Sequence, residues 1–397
     1  MNRNTFTYLK IGFLSCLLTG VIACKHNDED EFAFNGLDDS YSIERFKVLT
    51  IPTHASGSVT WSINDSIISQ SSELEFISPK ADAYPLTLKI NNKGNEQVYH
   101  SKIIVTKEKI PYSKYIAKVL EFRPAVGQFM NEIPEYEIGN TSTDMLQKAN
   151  ESLVGGSSTM ISLGGYGGYV VFGFDHTIPN LNGRDFKVLG NAFFGDSAND
   201  PRSGSCEPGI IMVAYDRNKN GKPDNDEWYE IAGSEYFKNT TVKDYSITYY
   251  KPDENKVPVP GSEFWQTDIE YIKWKDNLGN QGFKTKNTFN SQSYYPLWFT
   301  ETSYGFSGTR LANNFYDQNG DGSYWVGKSY EFGYADNAPN KDEASNIDIS
   351  WAVDRNGKYV KLPGVDFMKI YTGVNQEAGW LGEVSTEVAG VYDLHFK

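Results

Sequence analysis

Residues 162–229 read SLGGYGGYVVFGFDHTIPNLNGRDFKVLGNAFFGDSANDPRSGSCEPGIIMVAYDRNKNGKPDNDEWY, and this stretch decides the architecture. Three runs, Val170 to Phe174, Asp185 to Leu189 and Ile210 to Tyr215, are short and rich in β-branched and aromatic residues. Clusters of Gly, Pro, Asn and Asp separate them, the pattern of antiparallel strands joined by tight connections. The expectation is an all-β chain with a β-sandwich at its centre. Asp216 to Glu227 adds a second signal. Asp216, Asn218, Asn220 and Asp224 occupy positions 1, 3, 5 and 9 of a calcium loop, Gly221 permits the sharp turn at 6, the Lys222 carbonyl falls at 7, and Glu227 stands at 12 as a bidentate acid. The flanking runs IIMVAY and WYEIAG lack helical apolar spacing. A structural calcium ion on a strand-flanked loop is expected rather than an EF-hand; the alternative is a polar turn with no ion.

The N-terminus is a different kind of segment. Arg3 and Lys10 precede an apolar run from Ile11 to Ala23. Thirteen mostly apolar residues fall short of the ~20 needed to span a bilayer, so 1–23 reads as a signal peptide. Val21-Ile22-Ala23-Cys24 resembles the lipobox of bacterial lipoproteins, which implies cleavage before Cys24 and its acylation. Each buried methylene of an acyl chain is worth ~0.8 kcal/mol, so a multiply acylated cysteine holds the chain on a membrane. An acidic run, Asp28 to Glu31, follows and reads as a solvated tether over 24–38. It resembles the export signal carrying lipoproteins of the Bacteroides group to the outer face of the outer membrane.

Charge and cysteine content narrow the function. The chain has 37 Lys+Arg against 51 Asp+Glu, a net −14; without Arg3 and Lys10 the balance is 35 against 51, or −16. Such a surface repels phosphate backbones, so nucleic-acid binding is not expected. Of three cysteines, Cys16 leaves with the signal and Cys24 is the lipidation site. Cys206 is left without an intramolecular partner and reads as a buried thiol before a strand.

Two folded regions are expected. Residues 39–108 alternate apolar and polar positions around a single Trp61, the pattern of a small immunoglobulin- or PKD-like sandwich; residues 107–111 are charged, end in Pro111 and read as a linker. Residues 112–397 read as one larger, jelly-roll-like sandwich with one helix, Thr143 to Leu153. Gly183 to Val188 echoes Gly364 to Ile370, which suggests that 346–396 returns to pair beside the first sheet. Residues 238–339 would then be an aromatic-rich elaboration on one sandwich edge.

The phrases GGYVVFGFDHTIPN, DFKVLGNAF, CEPGIIMVAYDRNKNGKPDNDEWYEIAGSEY, YYPLW, DISWAVDRNGKYVKLPGVDFMKIYTGV and GWLGEVSTEVAGVYDLH resemble a family of Bacteroidales cell-surface lipoproteins. The resemblance implies a non-enzymatic surface protein, some relatives being encoded beside outer-membrane uptake systems, including those for cobalamin. It transfers no binding residues. The expected partners are a small-molecule ligand, corrinoid or glycan, a TonB-dependent outer-membrane transporter, and the membrane through the lipid anchor. The rival is a structural or adhesive surface module, with a glycan-active enzyme behind it.

Ligand residues are sought among the aromatics. Tyr and Trp keep a polar tip and serve where one face meets a ligand. Trp298, Tyr304, Tyr324 and Trp325 stand among Gly, Ser and Asn and are the stacking candidates; if they prove to be core, the site is expected beside Asp196 to Glu207. A second Asp/Asn set, Asp317, Asn319 and Asp321, places oxygens at loop positions 1, 3 and 5 but has Lys328 at 12. His176, His395, Glu383 and Glu387 are the catalytic possibilities considered. There is no His-Glu-x-x-His motif and no nucleophile elbow, so no enzyme is expected.

Overall fold

The computed structural model describes residues 34–157, 159–195 and 200–396. The signal peptide, Cys24, the acidic run and Asp196 to Asn199 lie outside them. The all-β expectation holds: among the described residues one α-helix, Ser142–Leu153, and three short 3₁₀ turns accompany the strands.

Residues 41–106 form a five-stranded sheet in the order Tyr41–Glu44, Asn95–Thr106, Ala83–Asn92, Ser58–Ile63, Ser66–Ser69. The first pair is parallel and the others antiparallel. With the two-stranded pair Leu49–Pro52 and Glu73–Phe76, it encloses Trp61, Leu74, Leu86, Leu88, Ile90 and Ile103. Trp61 is fully buried and its Nε1 donates to the Ser71 carbonyl at 2.9 Å, which satisfies the polar tip of the ring. The residues after this sheet are tied down, since Arg45 Nε donates to Glu108 Oε2 at 2.7 Å. Phe46 reaches across to stack on Phe396 at 4.7 Å and meets His176 edge-on at 4.9 Å.

The centre of the remaining chain is a six-stranded antiparallel sheet, ordered Ala352–Val353, Trp228–Ile231, Gly209–Ala214, Gly364–Thr372, Tyr169–Pro179, Lys118–Arg123. The returning C-terminal segment thus supplies the strand between Gly209–Ala214 and Tyr169–Pro179. Phe186–Leu189 pairs instead with Asn346–Ile347 and Gly390–Asp393 in a smaller sheet. Because side chains alternate across a strand, one face of the six-stranded sheet carries Val170, Phe172, Ile211, Val213, Met368 and Ile370 into an aliphatic core. The helix closes this core. Thr141 and Asp144 form a reciprocal capping box, and the helix buries Met145, Ala149 and Leu153, spaced i, i+4, i+8 along one face.

The opposite face meets a second layer, the four-stranded sheet Gln281–Asn287, Gln266–Asp276, Val242–Tyr250, Ser303–Arg310. The aromatic-rich region is therefore corrected from an edge elaboration to a layer stacked on the central sheet. Tyr166, Tyr245, Tyr249, Tyr295, Tyr304 and Tyr371 fill the space between the layers. Gly168 marks how tightly the chain closes here: an added Cβ would lie 1.9 Å from the Leu163 carbonyl oxygen.

Candidate functional site

The two layers diverge on one side and leave a groove of about 890 Å³, within the range of small-ligand sites, ~300–1,000 Å³. The register of the central sheet builds its floor. Val353 pairs with Glu230, Glu230 with Met212, Met212 with Lys369, Lys369 with Val171, and Val171 with Glu121. Paired residues project to the same face. One row thus crosses all six strands, with carboxylates near both ends and an ammonium at its middle. Tyr169 and Tyr371 form part of the adjacent row.

The four-stranded layer contributes Lys243, Asp244 and Thr309. Thr309 Oγ1 donates to Glu230 Oε2 at 2.6 Å, and Lys243 Nζ lies 3.8 Å from Glu230 Oε1 and 2.8 Å from the Tyr236 ring centroid. Burial raises Glu230 above the usual carboxylate range, opposed by Lys243 and Thr309. The rim is aromatic: Phe237 is 62% exposed, packs edge-on against Tyr236 and lies 5.9 Å from Tyr359. Exposed rings beside a floor of hydrogen-bonding groups can take a ligand with apolar faces and polar edges.

The Asp216 to Glu227 loop reaches the same rim through Pro223 and Asn225. Asp216 accepts from the Asn220 and Gly221 N–H groups at 3.0 and 2.8 Å, and Glu227 accepts from the Arg217 and Asp224 N–H groups at 2.8 and 3.1 Å. The Asn218 and Asn220 amides both donate to Asp224 Oδ2, at 2.6 and 2.8 Å. Their amide groups therefore meet at one carboxylate, and turning either amide over exchanges its nitrogen for an oxygen at that point. This hard-oxygen set fits calcium in kind. The second loop closes on itself, Asp317 accepting from the Asn319 and Gly322 N–H groups at 3.2 and 2.6 Å.

The aromatic candidates divide. Trp298 and Tyr304 are only 6% and 5% exposed and belong to the aromatic core, which corrects the expectation that their rings face a ligand. Trp298 is stacked between Phe122 and Tyr136, while Tyr304 meets Tyr295 and Phe299 edge-on. Tyr324 is 48% exposed and Trp325 half-buried, but neither borders the groove. They sit beside Trp380, whose Nε1 donates to the Ser323 carbonyl at 3.2 Å.

Two of the histidines, His176 and His395, are held between carboxylates. His176 bridges Asp175 and Asp393 at 2.8 and 3.0 Å, and His395 bridges Asp393 and Asp185 at 2.7 and 3.4 Å. Burial opposes the charge on His395, but these two carboxylates outweigh it and raise the imidazole to about 9. Cys206 is fully buried, and burial pushes its thiol up to about 12, unsuited to nucleophilic chemistry.

Sequence reasoning missed one cluster. Glu207, Asp336 and Glu387 bring carboxylate oxygens within 4.8 Å of one another. Glu387 Oε1 accepts from Ser162 Oγ and Ser385 Oγ at 2.8 and 2.6 Å, and Asp336 Oδ1 accepts from the Asn191 and Ala192 N–H groups at 2.9 and 2.8 Å. Burial, then the neighbouring carboxylates, hold Glu207 and Asp336 well above the carboxylate range. Shared protons are the inexpensive way to bury such a group. The three acids lie 180 residues apart in sequence, Glu207 to Glu387, and no local pattern joins them.

No family model matches this chain, and no curated protein does. Among solved structures, it is similar to a SusE-like protein at 8% identity and TM-score 0.31, over 90% of this chain and 95% of that one. A structure of carbohydrate-binding modules from the β-sandwich superfamily is similar at 7% identity and TM-score 0.16, over 91% and 96%. A quinonprotein alcohol dehydrogenase-like protein from Bacteroides thetaiotaomicron is similar at 16% identity and TM-score 0.17 over 20% of each chain, so this chain spans a fifth of that protein's length. The reading that follows rests on this chain's own geometry.

Proposed function

We propose that this chain is a non-catalytic cell-surface protein that binds a carbohydrate in the groove between its two layers and passes it to a TonB-dependent outer-membrane transporter. One observation carries the reading: a row in which Glu230, Lys369 and Glu121 alternate with apolar side chains crosses the floor of an 890 Å³ groove while Phe237, 62% exposed, stands at its rim. Sugars present hydroxyl edges to such a floor and C–H faces to such rings. The groove suits a saccharide better than a corrin, whose broad flat ring asks for an apolar slot, whereas this floor is crossed by Glu230, Lys369 and Glu121. A calcium ion in the Asp216 to Glu227 loop would stiffen the groove's rim, and an acyl group on Cys24 would hold the chain at the membrane.

Binding of the purified protein to an array of neutral and acidic glycans, beside cobalamin, tests the reading. Saturable binding to a glycan class is expected; binding to cobalamin alone, or to nothing, overturns it. Loss of membrane association in Cys24→Ala is expected of the anchor, and retention would remove it.

A further inference from the structure

On the reading that the groove holds a saccharide, we propose that its ligand is an acidic glycan whose anionic group is received by Lys369. Lys369 is the central member of the row crossing the six-stranded sheet, and its neighbours on the flanking strands are the uncharged Met212 and Val171. The carboxylates of the row, Glu230 and Glu121, stand on strands two away from that of Lys369, and Glu121 is taken up by the hydroxyl of Tyr169, the ring beside the ammonium. Among the described residues, Lys369 has no hydrogen-bond or ion-pair partner. Its Nζ lies 3.9 Å from the centroid of the Tyr169 ring.

Three of the four acids lining the groove have a hydrogen-bond partner other than Lys369. Glu230 is held by Thr309 and Lys243. Glu121 accepts from Tyr169 Oη at 2.9 Å, and Asp354 Oδ1 accepts from the Asn356 and Lys358 N–H groups, both at 2.9 Å. Asp244 stands at the exposed lip beside Lys243. A half-buried ammonium facing a cleft without a carboxylate partner incurs a desolvation cost that an incoming anion offsets. Burial accordingly lowers Lys369 from its ordinary range, with Glu121 opposing the shift from a distance. In a chain of net charge −14, an unpaired cation held on a rigid sheet is a specific device for receiving negative charge, since the surface as a whole repels it.

The anion can be a uronate carboxylate or a sulfate ester, and three probes separate these from neutral sugar. Oligogalacturonate carries carboxylates, its methyl ester has the same backbone without charge, and a carrageenan oligosaccharide carries sulfate alone. Titration calorimetry of the full protein is expected to show at least one acidic probe binding ten times or more tighter than the methyl ester. Lys369→Met should erase that preference while melting at or above the wild-type temperature, because a half-buried, unpaired charge has been removed. The combination distinguishes recognition from support, since a structural lysine would lose stability and leave the preference unchanged. Equal affinity for oligogalacturonate and its ester, unaltered in Lys369→Met but lost in Phe237→Ala, overturns the charge inference and leaves the groove as a neutral-glycan site. No binding by any probe, with a blank glycan array, overturns both.

Discussion

Replacing Trp298 distinguishes a core ring from a ligand-facing one. The side chain is 6% exposed and contacts Phe122, Tyr136 and Phe299 at ring separations of 6.3, 6.0 and 5.7 Å. Truncating a buried Trp to Ala costs ~3–5 kcal/mol through lost burial and the cavity left behind. One contribution runs the other way: Nε1 is buried with no hydrogen-bond acceptor, and an unsatisfied donor costs ~1–3 kcal/mol that truncation relieves. The net loss should therefore sit near the lower end, about 3 kcal/mol. At ~2–4 °C per kcal/mol for a domain of a few hundred residues, this is a fall of roughly 6–12 °C in melting temperature. Trp298→Phe keeps much of the stacking and removes the orphaned donor, so it should cost about 1 kcal/mol or less. Calorimetric melts and ligand titrations on both variants check this. If Trp298→Ala melts like the wild type but loses glycan affinity, assignment of the ring to the core is wrong.

Calcium in the Asp216 to Glu227 loop predicts that a chelator lowers the melting temperature and that Glu227→Gln reproduces the loss without chelator; no metal in the purified protein and unchanged melting would dismiss the ion. Glu383 predicts a pH dependence. Its carboxylate is buried, accepts from the Gln128 N–H at 2.5 Å, and is raised by burial to about 8. A folded-state pKa above the unfolded ~4.5 means that stability present below pH 4.5 is lost as pH rises through 8, on the order of 5 kcal/mol at the limit. Lys284 and Glu377 face the same group. Glu383→Gln should flatten that limb of a melting-temperature profile and raise stability at pH 8.5; an unchanged slope would assign the pH dependence to other groups.

Local patterning made the strand cores and the helix legible. Val170 to Phe174 and Ile210 to Tyr215 are apolar runs flanked by turn residues, and they lie in Tyr169–Pro179 and, but for Tyr215, in Gly209–Ala214. Thr141 with Asp144 marks the helix start, one residue before the expected Thr143. Exposure was not legible in the aromatic region. Tyr304 stands among Ser, Thr and Gly in sequence, while Trp298 lies in the apolar run YYPLWF, and both fold inward, against Tyr295 and Phe122 respectively. The groove was hidden for a related reason. Glu121, Lys369 and Glu230 come from three strands up to 248 residues apart, and only register places them in one row. A charged residue within an apolar run, as Lys369 is in FMKIY of the strand Gly364–Thr372, is the signal that points there.

The groove itself is tested most directly by titrating the best-bound oligosaccharide into wild-type protein and Phe237→Ala. Phe237 is 62% exposed and contributes little to the core, so its truncation should leave melting within ~0.5 kcal/mol of wild type. Stacking lost from a true contact is expected to weaken binding roughly tenfold. Unchanged affinity in Phe237→Ala, together with unchanged affinity in Lys369→Met, would place the ligand outside the groove and contradict the account.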